Sequence, residues 1–124
     1  MQRLFIITVA LLVAGCTGSR STDDWLRQLK DPEVVKRRQA IRELGVRMTE
    51  AERVTPSVAE ALRDENGYIR HDAALTLGKL GPAAKTAVPA LVAALKDKER
   101  GVRKAAGQAL EKIDPKGAAK AGER

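Results

Sequence analysis

The chain carries Leu29-Lys30-Asp31, Leu62-Arg63-Asp64 and Leu95-Lys96-Asp97, three tripeptides that follow one another at a fixed spacing of 33 residues. Further columns recur in the same register without a gap: Trp25/Val58/Leu91, Arg37/Arg70/Arg103, Ala40/Ala73/Ala106 and Leu44/Leu77/Leu110. A fixed period of this length is typical of a protein built from stacked copies of one supersecondary unit. Because such stacks form binding surfaces more often than catalytic pockets, the period predicts an interaction protein.

Each unit is predicted to be a hairpin of two helices. In the third copy, apolar residues recur at three- and four-residue steps, first over Val88, Leu91, Val92 and Leu95 and then over Val102, Ala106, Leu110 and Ile113. No segment alternates apolar and polar residues with β-branched enrichment, as a strand would. The predicted fold is therefore all-α, an α-solenoid of three helical hairpins over residues 23–48, 49–81 and 82–114.

The second unit carries the motifs of a known family. Asp64, Ile69-Arg70, Ala73-Ala74, Leu77-Gly78 and Leu80-Gly81-Pro82 resemble the HEAT-like repeat of the phycobilisome-lyase type, and the resemblance covers roughly residues 22–114. It implies that the repeated Asp and Arg tie neighbouring units together as a ladder of Asp31, Asp64, Asp97, Arg37, Arg70 and Arg103. It also implies a protein-interaction scaffold, since most members of the family have that role and only a few are chromophore lyases or their chaperones.

The N-terminus carries a second signal. A short basic start is followed by an eleven-residue apolar run over residues 4–14, too short to span a bilayer and suited to the core of a signal peptide. The run ends in Val13-Ala14-Gly15-Cys16, which resembles the bacterial lipobox. That resemblance implies cleavage before Cys16 and acylation of this cysteine, the only one in the chain. The alternatives are an ordinary signal peptide with an incidental cysteine, or an uncleaved anchor.

This interpretation predicts the organisation and location of the rest of the chain. Residues 1–15 would be the signal peptide, residues 16–22 a tether and residues 115–124 a disordered basic tail. Lipid on Cys16 would hold the protein to a membrane of the bacterial cell envelope, on its periplasmic side. Thr17 follows the cysteine where an Asp would resemble an inner-membrane retention signal, so the outer membrane is favoured in an organism that has one.

The chain is strongly basic, with a formal charge of +7 and a pI near 9.9. Such a charge attracts anionic lipid headgroups, acidic polymers of the envelope or an acidic protein face. The alternative is a solvated basic surface that serves only solubility. Nucleic acid is not an expected partner, because an envelope protein rarely meets it and the two aromatic residues of the repeats, Trp25 and Tyr68, are too few for base stacking.

The repeat register also predicts a candidate binding strip on the second helices, which line the concave face in resembling folds. Arg38 and Arg42 lie within about 40° of each other on a helical wheel, away from the apolar stripe. The binding strip comprises these two residues and their counterparts in the other units: Arg38, Arg42, His71, Leu75, Lys104 and Gln108.

The sequence lacks the residue groups that catalysis would need. It has one histidine, His71, with no Ser or Asp placed by spacing to form a nucleophilic site. No spaced ligand cluster indicates a metal, and no Gly-rich loop indicates a nucleotide or another cofactor. We expect a non-enzymatic scaffold that binds a protein partner and no small-molecule substrate. The alternatives are a basic module that binds anionic envelope polymers or lipid headgroups and, third, an accessory subunit of a lyase or another enzyme.

Overall fold

The computed structural model describes residues 19–122, and all regular structure in that range is helical. Three short 3-10 helices lie at Met48–Glu50, Ala61–Arg63 and Gly81–Ala87. The α-helices are α1 (Thr22–Gln28), α2 (Val34–Gly45), α3 (Ala51–Glu60), α4 (Gly67–Leu80), α5 (Val88–Ala94), α6 (Arg100–Ile113) and α7 (Pro115–Gly122).

The helices pair as three hairpins. Helix α1 packs on α2, α3 on α4 and α5 on α6, while α4 also contacts both α2 and α6. The second helices therefore form one layer, with α4 in its centre, and the first helices form the other. This arrangement confirms the predicted all-α solenoid of three helical hairpins.

The core lies between the two layers and consists of the repeated columns. Ala40, Ala73 and Ala106 are fully buried, as is the column of leucines that follows each of them. Small side chains bring the second helices close together: an added Cβ on Gly78 would lie 3.2 Å from the Cα of Ala109 on α6. The periodic columns are thus the contact surface between units, since a single hairpin cannot bury its apolar face alone.

Local sequence accounts for where the hairpins turn. The side chain of Asn66 accepts hydrogen bonds from the backbone N–H groups of Tyr68 and Ile69, which begins α4. Gly81 ends the same helix with a φ of 65°, in the left-handed region where a side chain would be strained. Pro89 lies in the first turn of α5, where its missing N–H costs nothing.

The N-terminal boundary differs from the prediction, because the predicted tether (residues 16–22) reaches into the first helix. Ser21 caps α1 through a reciprocal pair of hydrogen bonds with Asp24. Thr22 is buried, and its Oγ1 donates a hydrogen bond of 2.6 Å to Glu50. The capping chemistry of Ser21 therefore starts the domain two residues before the predicted boundary at 23.

The first unit ends in a mixed polar and aromatic layer. Trp25 is buried, and the guanidinium of Arg20 lies 5.0 Å from the centroid of its ring. Arg47, which replaces the apolar Leu80 and Ile113 of the later units, donates a hydrogen bond of 2.9 Å to the carbonyl of Arg20. This end of the stack is covered by side chains of its own unit.

The C-terminal segment is a second correction. Residues 115–124 were expected to be disordered because they lack a periodic apolar stripe, but residues 115–122 form α7, which packs on α6. Pro115 follows Pro82 at the 33-residue period, so α7 occupies the place of the segment that leads into α5. Its contact is made by small residues, with Ala118 packed against the core, and small residues leave no strong stripe in the sequence.

The predicted lipid anchor lies outside the described residues. Val13, Ala14, Gly15 and Cys16 all precede residue 19, as does the predicted signal peptide (residues 1–15). Within the described range, no helix has the length and apolar character needed to cross a membrane.

Candidate functional site

The repeated charges join the units of the stack. The guanidinium of Arg70 donates two hydrogen bonds to the carboxylate of Asp97 in the next unit, from Nε at 2.8 Å and from Nη2 at 3.2 Å. Arg37 also pairs with Asp64, through one hydrogen bond from Nη2 at 3.1 Å and an ion-pair contact of 2.9 Å between Nε and Oδ2. Each pair links positions 27 residues apart.

The other edge of each guanidinium holds the turn of its own unit. Nη1 of Arg70 donates to the carbonyls of Asp64 and Glu65 at 2.8 and 3.2 Å. The Asp side chain completes this arrangement, since its Oδ1 accepts the backbone N–H two residues later in all three units, at 2.9 Å each time. All six ladder residues therefore hold the turn of their own unit, and two pairs, Arg37–Asp64 and Arg70–Asp97, also join neighbouring units. Within residues 19–122, Asp31 and Arg103 form no bond of the ladder to another unit.

The pKa values of the second pair reflect its geometry. The hydrogen bond to Asp97 raises the pKa of Arg70 above its usual value. Burial by itself raises the pKa of Asp97, but the hydrogen bonds from Arg70 and from the Glu99 N–H outweigh it, so the pKa of Asp97 is lowered. Both groups are charged in the folded protein, as an ion pair between units requires.

The binding strip lies on the second helices, two residues on each of α2, α4 and α6. Arg42, Leu75, Lys104 and Gln108 are exposed, and the remaining two, Arg38 and His71, are half-buried. All six side chains thus reach the surface of the layer formed by the second helices. Whether they bind a partner stays a prediction.

The structure adds two residues that sequence reasoning did not assign to this surface. Arg38 Nε donates a hydrogen bond of 2.7 Å to Asp72 on α4, and its guanidinium lies 5.5 Å from the centroid of the Tyr68 ring. The hydrogen bond to Asp72 raises the pKa of Arg38. Arg38 is therefore paired across the contact between units, and the exposed Arg42 is more available to a partner than Arg38 is.

Tyr68 stands out because it is 69% exposed in a chain with few aromatic residues. Its column, Val35/Tyr68/Gly101, lies one helical turn before the Arg38/His71/Lys104 column, and Val35 is 76% exposed. The repeat register could have identified this row. No such signal exists for Asp72, whose column holds Gln39 and Ala105 in the other units.

A cleft of about 570 Å³, the Tyr68 cleft, opens at this row where all three units meet. It is lined by Arg38, Glu65, Asn66, Gly67, Tyr68, His71, Asp72, Glu99, Gly101 and Val102. Gly67 leaves room for Glu99, because an added Cβ would lie 3.2 Å from Glu99 Cγ. Glu65 and Glu99 form no ion pair within residues 19–122, so the cleft is acidic although the chain as a whole is basic.

The cleft is lined mainly by charged, aromatic and imidazole groups. His71 Nδ1 lies 3.5 Å from Asp72 Oδ1, a contact that spacing alone did not indicate, but no hydroxyl or thiol nucleophile of Ser, Thr or Cys lines the cleft. Across the described part of the chain, no group of three or more His, Cys, Asp or Glu side chains is placed to hold a metal ion. An aromatic face, a histidine and the two carboxylates that form no ion pair in the described residues suit the recognition of side chains from another protein.

Comparisons with known proteins agree with the repeat architecture. A family model described as HEAT repeats matches residues 22–111. Among 20 matching chains of solved structures is one from the complex of CpcE and CpcF of phycocyanin lyase from Nostoc sp. PCC7120. That match has 30% identity and a TM-score of 0.73, and it covers 85% of this chain but only 42% of the other.

No curated protein matches the chain. The family match nevertheless spans well over half of the sequence and includes all three units with their Asp and Arg columns. This chain belongs to the HEAT-repeat family.

Proposed function

We propose that the protein is a non-enzymatic scaffold that binds a protein partner along α2, α4 and α6, over the binding strip and the Tyr68 cleft. The observation that carries this proposal is Tyr68, an exposed tyrosine at a cleft where all three units meet. Tyrosine is enriched at the energetic centres of protein interfaces, where a large ring can be buried at small entropic cost. HEAT repeats themselves suggest interaction scaffolds.

The charges of this surface define what a partner must present. The carboxylates of Glu65 and Glu99 would attract a basic side chain into the cleft, while Arg42 and Lys104 would attract acidic groups farther along the strip. A partner segment of mixed charge, with a basic or amide side chain opposite Tyr68, fits this pattern.

The test is a crosslinking pull-down with the protein and its Tyr68→Ala and Arg42→Glu variants. We expect each variant to lose most of the specifically recovered partner, since truncating a central interface tyrosine weakens binding by about tenfold or more. Val92→Ala and Arg63→Glu are matched controls, because both residues are exposed on the side of the first helices. Equal recovery with all four variants would reject the surface.

We further propose that lipid on Cys16 anchors this scaffold to a membrane of the bacterial cell envelope. The support is the apolar run that ends in the lipobox-like Val13-Ala14-Gly15-Cys16. A Cys16→Ala variant should leave the membrane fraction, and metabolic labelling with a palmitate analogue should be lost with it. Unchanged membrane association of this variant would count against the anchor.

A second candidate function is that of an accessory subunit of an enzyme, and the similarity to a subunit of the CpcE and CpcF complex of phycocyanin lyase favours it. The chain spans less than half of that subunit. In this case the recovered partner should have an activity that His71→Ala reduces. Lack of any enzymatic activity in the purified complex would exclude this candidate.

The third candidate is a basic module for anionic envelope polymers or lipid headgroups, which the charge of +7 supports. Binding of this kind weakens steeply with added salt because exposed charges are screened. Binding to phosphatidylglycerol vesicles that does not change between low and high salt would reject it.

A further inference from the structure

The last residue of the Arg column has the same inner contacts as the other two. Nη1 of Arg103 donates to the carbonyls of Asp97 and Lys98 at 2.7 and 3.1 Å. Arg37 and Arg70 make the corresponding two bonds within their own turns. The guanidinium of Arg103 is therefore held in place by its own unit.

The outer edge of the Arg103 guanidinium differs from those of Arg37 and Arg70. In Arg37 and Arg70 the edge formed by Nε and Nη2 faces the Asp carboxylate of the following unit. Within residues 19–122, Arg103 forms no ion pair and its side chain is exposed. Glu99 precedes Arg103 by one helical turn at the N-cap of α6, and the next acidic residue along the helix is Glu111, eight residues after Arg103 and about 12 Å away.

The surroundings of Arg103 strengthen its attraction for an anion. Lys98, Arg100 and Lys104 are exposed and form no ion pair in the described range, while the charge of Asp97 is already balanced by Arg70. Glu99 is the one acidic residue between them that remains unpaired there. A carboxylate that reaches Arg103 thus enters a region of positive potential.

The helix face beside Arg103 has room for another element. On α4 the face that carries Arg70 and Gly78 packs against α6. At the 33-residue period the equivalent face of α6 carries Arg103 and Glu111, with Gly107 between them. This face borders a cleft of about 370 Å³ lined by Leu95, Gly107, Leu110, Glu111 and residues of α7.

We propose that Arg103 is a binding site for an Asp carboxylate of a helical partner protein, docked against the face of α6 that carries Arg103, beside α7. The two pairs within this molecule show what such a guanidinium binds: an Asp in the turn before a helix, whose Oδ1 also accepts the N–H two residues later. This site lies outside the Tyr68 cleft and would be a second contact between the proposed scaffold and a partner. It rests on the proposed scaffold function, but a separate experiment tests it.

The test uses a labelled synthetic peptide with the sequence of residues 62–80, which contains Asp64 and the start of α4, and follows its binding to the full chain by fluorescence anisotropy. We expect the peptide to bind about tenfold more tightly than its Asp64→Asn version, the loss of one charge-assisted pair. Arg103→Lys, which keeps the charge but not the two-pronged geometry, should remove this preference. Arg63→Lys in the protein is the control and should leave it intact.

Equal binding of the two peptides to the wild-type protein would overturn the proposal. Because this comparison uses no Arg103 variant, it remains decisive even if those variants fail to fold. Two other outcomes would also overturn it. Self-association of the chain that needs Arg103 and Asp31 would make a second copy the occupant, and Arg103-dependent binding to phosphatidylglycerol vesicles without peptide discrimination would make it a lipid headgroup. Loss of peptide discrimination would leave the Tyr68→Ala result untouched, so the two proposals fail independently.

Discussion

At the scale of single residues, Arg70 shows why a conspicuous charge need not be a functional one. Its guanidinium forms four hydrogen bonds, two to the next unit and two to its own turn, and the side chain is only 8% exposed. A buried arginine with all its contacts satisfied stabilises the stack and leaves little for a partner. Charges open to a partner therefore lie outside these ion pairs, and Arg42 and Lys104 are exposed examples.

Breaking the ion pair between Arg70 and Asp97 should lower the free energy of unfolding by a measurable amount. Asp97→Asn keeps the size of the side chain and the oxygen that accepts the Glu99 N–H, but it removes the charge that Arg70 needs. We expect the free energy of unfolding to fall by about 1.5–3 kcal/mol, the range for hydrogen bonds to charged groups. Urea denaturation measures it, and an unchanged midpoint would show that the pair is not stabilising.

The same carboxylate predicts how stability responds to acid. Because the pKa of Asp97 is lowered in the folded protein, the unfolded chain binds a proton there at higher pH than the folded one does. The stabilisation is complete above the ordinary pKa of 3.8 and is lost as the pH falls through the folded value. Thermal melts from neutral to acidic pH should therefore show a steeper loss for the wild type than for Asp97→Asn, and parallel curves would contradict this.

At the scale of elements, the distance between neighbouring helices is set by the small residues on the layer of second helices. A Cβ added to Gly78 would lie 3.2 Å from the Cα of Ala109 on α6, so this glycine determines how closely α4 and α6 approach. A Cβ added to Gly107 on α6 would meet only the end of the Leu95 side chain, at 3.8 Å. The two glycines thus differ in how much space a larger side chain would have at each position.

This difference predicts opposite effects of substitution. Gly78→Val should destabilise the protein by about 1–3 kcal/mol, because the added side chain meets backbone that cannot move away cheaply. Gly107→Ala should stabilise it by about 0.5–1 kcal/mol through helix propensity alone. Melting temperatures of the two variants provide the measurement, and equal shifts in one direction would refute the assigned contacts.

At the scale of the whole molecule, the stack has only two interfaces between units, and α4 takes part in both. Each unit depends on its neighbour for the burial of its apolar face, so a destabilising substitution in one unit should also destabilise the others. Leu44 and Leu77, buried on α2 and α4, are part of the core that continues through the units.

We therefore expect Leu44→Ala to destabilise all three units together, by about 2–5 kcal/mol, the usual cost of such a cavity. Hydrogen exchange should show faster opening of amides in α2, α4 and α6 alike. Retained protection of α6 amides beside rapid exchange in α2 would instead show that the units unfold separately.

Much of this protein was predictable from its sequence, because the relevant information is local or periodic. Helical hairpins follow from apolar residues at three- and four-residue steps, and the stack follows from the 33-residue register that aligns Leu44, Leu77 and Leu110. Helix α7 escaped the prediction because its contacts use alanines, which give no strong stripe. The contact of Asp72 with Arg38 was not predicted either, because the other units have no acidic residue at the position of Asp72.

By itself, then, the sequence determined the class of fold, the period and the buried columns, all of which depend on spacing along the chain. The same spacing predicted six binding-strip positions, and these lie at the surface of the second helices. Only the tertiary structure decided which charges are free. Arg38 and Asp72 are 34 residues apart and meet because α2 packs on α4, whereas Arg103 keeps an open edge because no carboxylate of the described residues reaches it. The availability of a charge depends on what lies within about 4 Å of it in space, and spacing in the sequence does not specify that distance.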